Sequence, residues 1–111
     1  MLHDAAEAYL GDMVKPLKVL LPAFSEIEDN VSRIIGKRFG VDLSHHPVVK
    51  QADLIALATE KRDLMPYSVE EWAYLMGVEP MGEAIQPMPP EVAKREFMRE
   101  FERMHARAER Q

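Results

Sequence analysis

Apolar residues recur along this chain at three- and four-residue intervals, and two-residue alternation is never sustained, so the pattern predicts helices and no strand. The first predicted helix covers roughly Leu2 to Leu10; it is rich in Ala and Leu and stops at Gly11, a residue suited to a helix end. The turn GDMVKP follows, with Pro16 discouraging continuation. A second helix begins near Leu21 or Pro22 and ends at Gly40. It carries Phe24, Ile27, Val31, Ile34, Ile35 and Phe39 on one broad face and turns Glu26, Asp29, Arg33 and Lys37 to water. Ser44 reads as the cap of a third helix with Pro47 in its first turn. Val48, Val49, Ala52, Leu54, Ile55, Leu57 and Ala58 make that helix apolar on too many sides for the surface, which predicts a central position. A short fourth helix is expected over Val69 to Met76, capped by Ser68 with Glu71 at the capping-box position. The proline-punctuated GVEPMGEAIQPMPP then predicts a surface connection. A last helix starts near Pro90 and carries Val92, Phe97, Met98, Phe101 and Met104 among many charges. The expected class is all-α, with residues 1–111 forming one domain.

Composition narrows the functions. The 111 residues are 47% hydrophobic and 30% charged, the balance of a small soluble domain with a limited core, of a size that often shares a face with a partner. A formal charge of -5 argues against a nucleic-acid polymer, which needs a basic face, but is compatible with a single free nucleotide. With no Cys there is neither a disulfide framework nor a thiolate site, so a metal would have to be held by His, Asp and Glu. That composition suits the cytoplasm. No cationic segment followed by an apolar run opens the chain, and no run of 18 apolar residues occurs, so neither a signal peptide nor a membrane span is expected.

The candidate chemistry begins at the third residue. His3 and Asp4 are adjacent on the first predicted helix, and Glu7 lies one turn further along the same face. An imidazole and a carboxylate suit Zn, Mn, Fe, Co or Ni, and a carboxylate one turn away can position or deprotonate a water. An HD dipeptide alone more often caps and solvates a helix start. Asp53 is the second unusual position: it interrupts an apolar helix, where an ionised carboxylate is costly unless paired or bound to a cation. The plainer use is an Asp turned to the surface beside Lys50.

The stretches LHDAAEAYLGDMVKPLK and VVKQADLIALATEKRDLM together resemble the HD-domain phosphohydrolase superfamily, in particular its small bacterial and phage members related to the 5'-deoxynucleotidases and deoxynucleotide triphosphohydrolases. The first stretch matches an apolar residue, HD, a nearby Glu, Gly-Asp and a proline; the second matches a distal aspartate within an apolar helix. The likeness continues through PYSVEEWAYLMGVEP. It implies an HD-domain-like helical bundle in which His3, Asp4 and Asp53 hold a divalent metal ion (Mn, Co, Zn, Fe, Ni or Mg). It further implies that Glu7 and Asp12 act as acid/base and water-positioning carboxylates and that the substrate is a nucleotide or related phosphate ester. Lys15 and Lys18 are the nearest cations for a phosphate; Arg62 lies off the Asp53 face. Glu60 is expected either to line the same cleft or to pair with a lysine. Trp72, Tyr67 and Met65 offer either a base-stacking wall or core packing. His46 and His105 are expected at the surface, as is His45.

The family pattern also has a first histidine ligand on an upstream helix, whereas only Met1 and Leu2 precede His3. The expectation is a chain N-terminally truncated relative to the family, a truncated product or a natural fragment, with impaired activity. Alternatively a partner chain, or one of His45, His46 and His105, fills the place. Uncovered apolar faces on the first and third helices would then favour a symmetric homodimer. A C-terminal helix folding Phe97 and Phe101 over the gap is the monomeric alternative. A non-catalytic helical binding or assembly module is the other functional class.

Overall fold

The computed structural model describes residues 1–44 and 46–108, and every regular element among them is helical. In chain order these are α1 (Glu7–Leu10), α2 (Lys15–Leu20), α3 (Pro22–Phe39), α4 (Pro47–Leu64), a 3-10 turn at Ala73–Leu75 and α5 (Pro90–Ala108). The all-α class is therefore established. The chain divides into two compact units, Met1–Gln51 and Ala52–Gln111, with α4 beginning in the first and continuing in the second. No helix among the described residues is long and apolar enough to cross a membrane.

In the first unit the helix expected over Leu2 to Leu10 is only partly α. The Ala5 and Glu7 N–H groups donate three residues back, to the Leu2 and Asp4 carbonyls at 3.0 Å each, and the winding relaxes to α only at Leu10, whose N–H donates to Ala6 at 3.1 Å. No side chain caps this start, and so short a segment cannot repay the cost of helix nucleation by itself. Gly11, at φ 78°, ends it as expected. Pro16 follows the end of α1, as expected, but also stands in the first turn of α2, a helix the pattern did not predict, where its missing N–H would have had no helical partner anyway.

Helix α3 starts at Pro22 and ends at Gly40, whose φ of 65° is the left-handed conformation that favours glycine. The chain then doubles back so closely that a Cβ on Gly36 would lie 2.7 Å from the Val41 carbonyl oxygen. Ile35 and Gly36 are buried, and Phe24, Val31 and Phe39 are half-buried, but Ile27 and Ile34 remain 51% and 62% exposed. The broad apolar face read from the sequence is thus only partly covered.

Ser44 does not cap α4. Its own N–H donates to Asp42 Oδ1 at 2.8 Å, and His46 takes the capping role, its Nδ1 accepting the Val48 N–H at 3.2 Å and its carbonyl accepting from Val49 and Lys50. Nor is α4 buried along its length: Val48, Val49, Ala52 and Asp53 are exposed, and Thr59 alone of its residues is buried. Its exposed apolar positions are in the first turns, at Val48, Val49 and Ala52, while Leu54, Ile55, Leu57 and Ala58 are half-buried.

The second unit is organised by polar groups on α4. Thr59, only 1% exposed, donates from Oγ1 to the Ile55 carbonyl at 2.6 Å and accepts the Met81 N–H at 3.0 Å. One turn later Asp63 Oδ2 accepts the Ile85 N–H at 2.8 Å, while Arg62 donates to the carbonyls of Met81 and Glu83 at 2.6 and 2.9 Å. The proline-punctuated connection is pinned by these bonds. The helix expected over Val69 to Met76 shrinks to the 3-10 turn: Ser68 Oγ accepts the Glu70 N–H at 3.1 Å, two residues on, and the Glu70 carbonyl is taken by Lys61 at 2.9 Å.

Candidate functional site

Four of the seven residues singled out in the sequence line one cleft of the first unit. His3, Asp4, Glu7 and Lys18 share its wall with Glu28, Asp29, Ser32, Arg33, Gly36, Lys37 and the Val41–Ser44 segment, around a volume of about 500 Å³. That volume is within the usual range for small-molecule sites. The tight turns at residues 2–7 present His3, Asp4 and Glu7, the first two exposed and the third half-buried, while α3 supplies the opposite wall. His3 Nε2 lies 2.9 Å from Asp4 Oδ2, as neighbours at a helix start can.

Of the three metal-ligand candidates, His3 and Asp4 stand in the first unit and Asp53 in the second, and all three residues are exposed. Asp53 stands in the second turn of α4. Its exposure removes the reason the sequence suggested for singling it out: it is not a carboxylate forced to find a cation by burial. The adjacent imidazole and carboxylate of His3 and Asp4 are nevertheless donors that a divalent cation accepts.

Glu7 is electrostatically the most distinctive carboxyl here. Burial, followed by repulsion from Asp4 and Asp12, holds its pKa above the ordinary 4.5, against a smaller opposing pull from Lys18. Asp12 is exposed beyond Gly11 and acts on Glu7 through its charge. Lys18 is already engaged: Nζ donates to both carboxylate oxygens of Glu28, at 2.9 and 3.0 Å, and that hydrogen bond keeps its proton on more firmly than usual. Lys15 is exposed at the start of α2 and does not line the cleft.

The sequence reading missed Arg33 and Lys37. They are four residues apart on α3, exactly the positions read as turned to water, and they are exposed, yet the face they occupy is a wall of the cleft. Arg33 Nη2 donates to Asn30 Oδ1 at 3.1 Å, and among the described residues neither cation is ion-paired. Their i,i+4 spacing opposite an HD pair was visible, but only the return of α3 against residues 2–7 gives it meaning.

The other candidates are not part of the cleft lining. Arg62 is committed to Asp63 and to the backbone of the connection. Glu60 is exposed and makes no lysine pair among the described residues. Trp72 is half-buried, carries Lys61 Nζ 4.7 Å from its ring centroid in a cation–π contact and lines a second cleft with Ala58, Leu75 and Val78, whereas Tyr67 and Met65 are exposed and outside that lining. His46 and His105 are exposed, as expected, and His45 lies outside the described residues.

No family model matches the chain, and no solved structure matches it. It is similar to the uncharacterized protein YfdR of Escherichia coli, at 39% identity over 103 residues covering 91% of this chain and 57% of that protein. A second relative, an uncharacterized protein of Rhodobacter capsulatus, is 29% identical over 106 residues, 87% of this chain and 54% of the relative. The chain spans about half the length of the curated relatives it matches.

Proposed function

We propose that this chain belongs to a metal-dependent phosphohydrolase of the HD-domain kind, acting in the cytoplasm on nucleotides or related phosphate esters. The observation that carries this reading is the placing of His3, Asp4 and Glu7 on one cleft of about 500 Å³ in the first unit; Asp53 enters as the further ligand that the sequence resemblance implies. One imidazole and two carboxylates without a thiolate fit Mn, Co, Zn, Fe, Ni or Mg. Such a cation, when bound, supplies Lewis acidity toward a phosphate oxygen and toward water. Glu7 accepts the water proton and returns it to the leaving oxygen; its raised proton affinity brings it closer to working pH than an ordinary glutamate. Asp12 sustains that affinity through its charge. Lys18, held by Glu28, fixes the cleft's floor more than it offers donors to a ligand.

A second reading, a helical module that assembles as a homodimer, draws on the exposure of Val19, Leu20, Ile27 and Ile34. Elemental analysis after Mn, Co or Zn loading, with a panel of nucleoside mono- and triphosphates, separates the two. About one cation per chain and phosphate release, both abolished in His3→Ala and Asp53→Asn, are expected. A wild-type chain that holds no cation and turns over no substrate defeats the hydrolase reading and leaves the assembly module.

A further inference from the structure

Lys15 and Lys18 are the cations nearest in sequence to the HD pair, yet neither is the best placed for an anion. Lys15 is off the cleft, and Lys18 already gives two hydrogen bonds to Glu28. Arg33 and Lys37 line the same cleft as His3, Asp4 and Glu7 from a different element, α3, one helical turn apart. Arg33 spends one donor on the neutral Asn30 amide oxygen, which leaves most of its guanidinium fork for other acceptors. Lys37 carries no ion pair among the described residues. Ser32, also on the wall, adds a hydroxyl.

From this placement we infer that Arg33 and Lys37 form the anion-binding wall of the cleft and hold the phosphate groups of a phosphorylated small molecule. The inference deepens the hydrolase reading and rests on it for the identity of the ligand, but the anion site itself needs no metal. Selectivity comes from donor geometry: Glu28 and Asp29 on α3 and Asp42 beyond it oppose any anion, so chloride gains little, whereas a phosphate has the oxygens to engage a guanidinium fork and an ammonium together. A pair this exposed works through charge-assisted hydrogen bonds that salt weakens.

The test is calorimetric titration of the full chain, metal-free in EDTA and at low salt, with inorganic pyrophosphate. Wild type, Arg33→Gln, Lys37→Gln, the double variant and Lys15→Gln are compared. The double variant should bind pyrophosphate at least about tenfold more weakly, the scale of losing one or two charge-assisted hydrogen bonds at an exposed site, with Lys15→Gln close to wild type. Equal affinity in wild type and double variant overturns the inference, as does an equal loss in Lys15→Gln, which would mean net charge alone. Amide shift mapping on wild type covers a misfolded variant: perturbations must centre on residues 32–37, and a response elsewhere counts against the site. Mn titration of the same variants, exchanged out of EDTA, keeps the two readings apart. A chain that binds no Mn but loses pyrophosphate in the double variant keeps the anion wall and loses the hydrolase; Mn binding with unchanged pyrophosphate affinity does the reverse.

Discussion

Two polar clusters, one in each unit, are built from the same kinds of side chain and do different work. On the second half of α4, Thr59, Arg62 and Asp63 turn their hydrogen bonds onto the backbone of the chain itself, at Ile55, Met81, Glu83 and Ile85. In the first unit His3, Asp4, Glu7, Arg33 and Lys37 surround a cleft instead. A polar cluster closed on backbone groups holds a fold, because removing a member strands a partner. A cluster that faces a cavity leaves donor and acceptor capacity for a ligand. The two carboxyl groups record the contrast in their protonation: Asp63 is drawn down to about 2 by its hydrogen bonds from Arg62 and the Ile85 N–H, whereas Glu7 is pushed up by burial and by neighbouring carboxylates.

The contrast breaks most sharply on cation affinity. His3→Ala is expected to weaken Mn or Zn binding at least about 100-fold, near 2.7 kcal/mol, while Thr59→Val leaves it unchanged. Isothermal titration of both variants decides it, and a loss of similar size in Thr59→Val would merge the two clusters into one.

Stability should show the reverse ranking. Thr59→Val keeps the side-chain volume but strands the Met81 N–H beside a buried site, a cost of about 1–3 kcal/mol. His3→Ala, at an exposed position, should stay within about 0.5 kcal/mol of wild type. Gly36→Ala sits between the clusters in kind: it touches no polar group of either, yet its Cβ meets the Val41 carbonyl, and about 1–3 kcal/mol of overpacking is expected in urea unfolding. A neutral Gly36→Ala would show that the Val41 turn yields easily.

The smallest effect is the most diagnostic in sign. Asp63 has a folded pKa below its ordinary 3.8, so its contribution to stability is complete above that value and is lost as pH falls toward about 2. Glu7 has a folded pKa above 4.5, so the folded state holds its proton more tightly, and stability falls as pH rises from 4.5 through the raised value. Thermal melts from acid to neutral pH should find Asp63→Asn destabilised at neutral pH and converging on wild type in strong acid. Glu7→Gln should instead match or exceed wild-type stability at neutral pH. A destabilised Glu7→Gln would place Glu7 among the structural carboxylates. In turnover assays Glu7→Gln should remove an ionisation limb lying above the ordinary glutamate range.

The limits of reading a single chain show in particular residues. Gly11, Gly40 and the start of α5 at Pro90 were legible because helix ends depend on local backbone preference. Helix α2 was missed because a proline that stops one helix and one that opens the next look alike in sequence; what distinguishes them is whether the residues before it are already helical. Ser44 and Ser68 were plausible caps, but His46 and a short serine turn took their places, since several polar residues near a helix start compete for the same N–H groups. For the candidate site, the HD pair and Glu7 could be found from spacing along one segment. Arg33 and Lys37 could not, because their importance depends on what stands across the cleft.

By itself the sequence determined that this protein is helical and that helices end at Gly11 and Gly40, and it singled out His3, Asp4 and Glu7 as neighbours on one segment, because periodicity and helix-stop residues act within a few positions of the chain. Only the tertiary structure decided which charges serve the fold and which face a cavity. Asp63 and Glu7 are both carboxylates on or beside a helix, and Arg62 and Arg33 are both arginines on one; no local rule separates them. Hydrogen bonds across 22 residues to Met81 and Ile85, and the placing of α3 and residues 3–7 around one cleft, assign each to its role. Burial and electrostatic environment are sums over neighbours brought together by folding, and they are written nowhere along the chain.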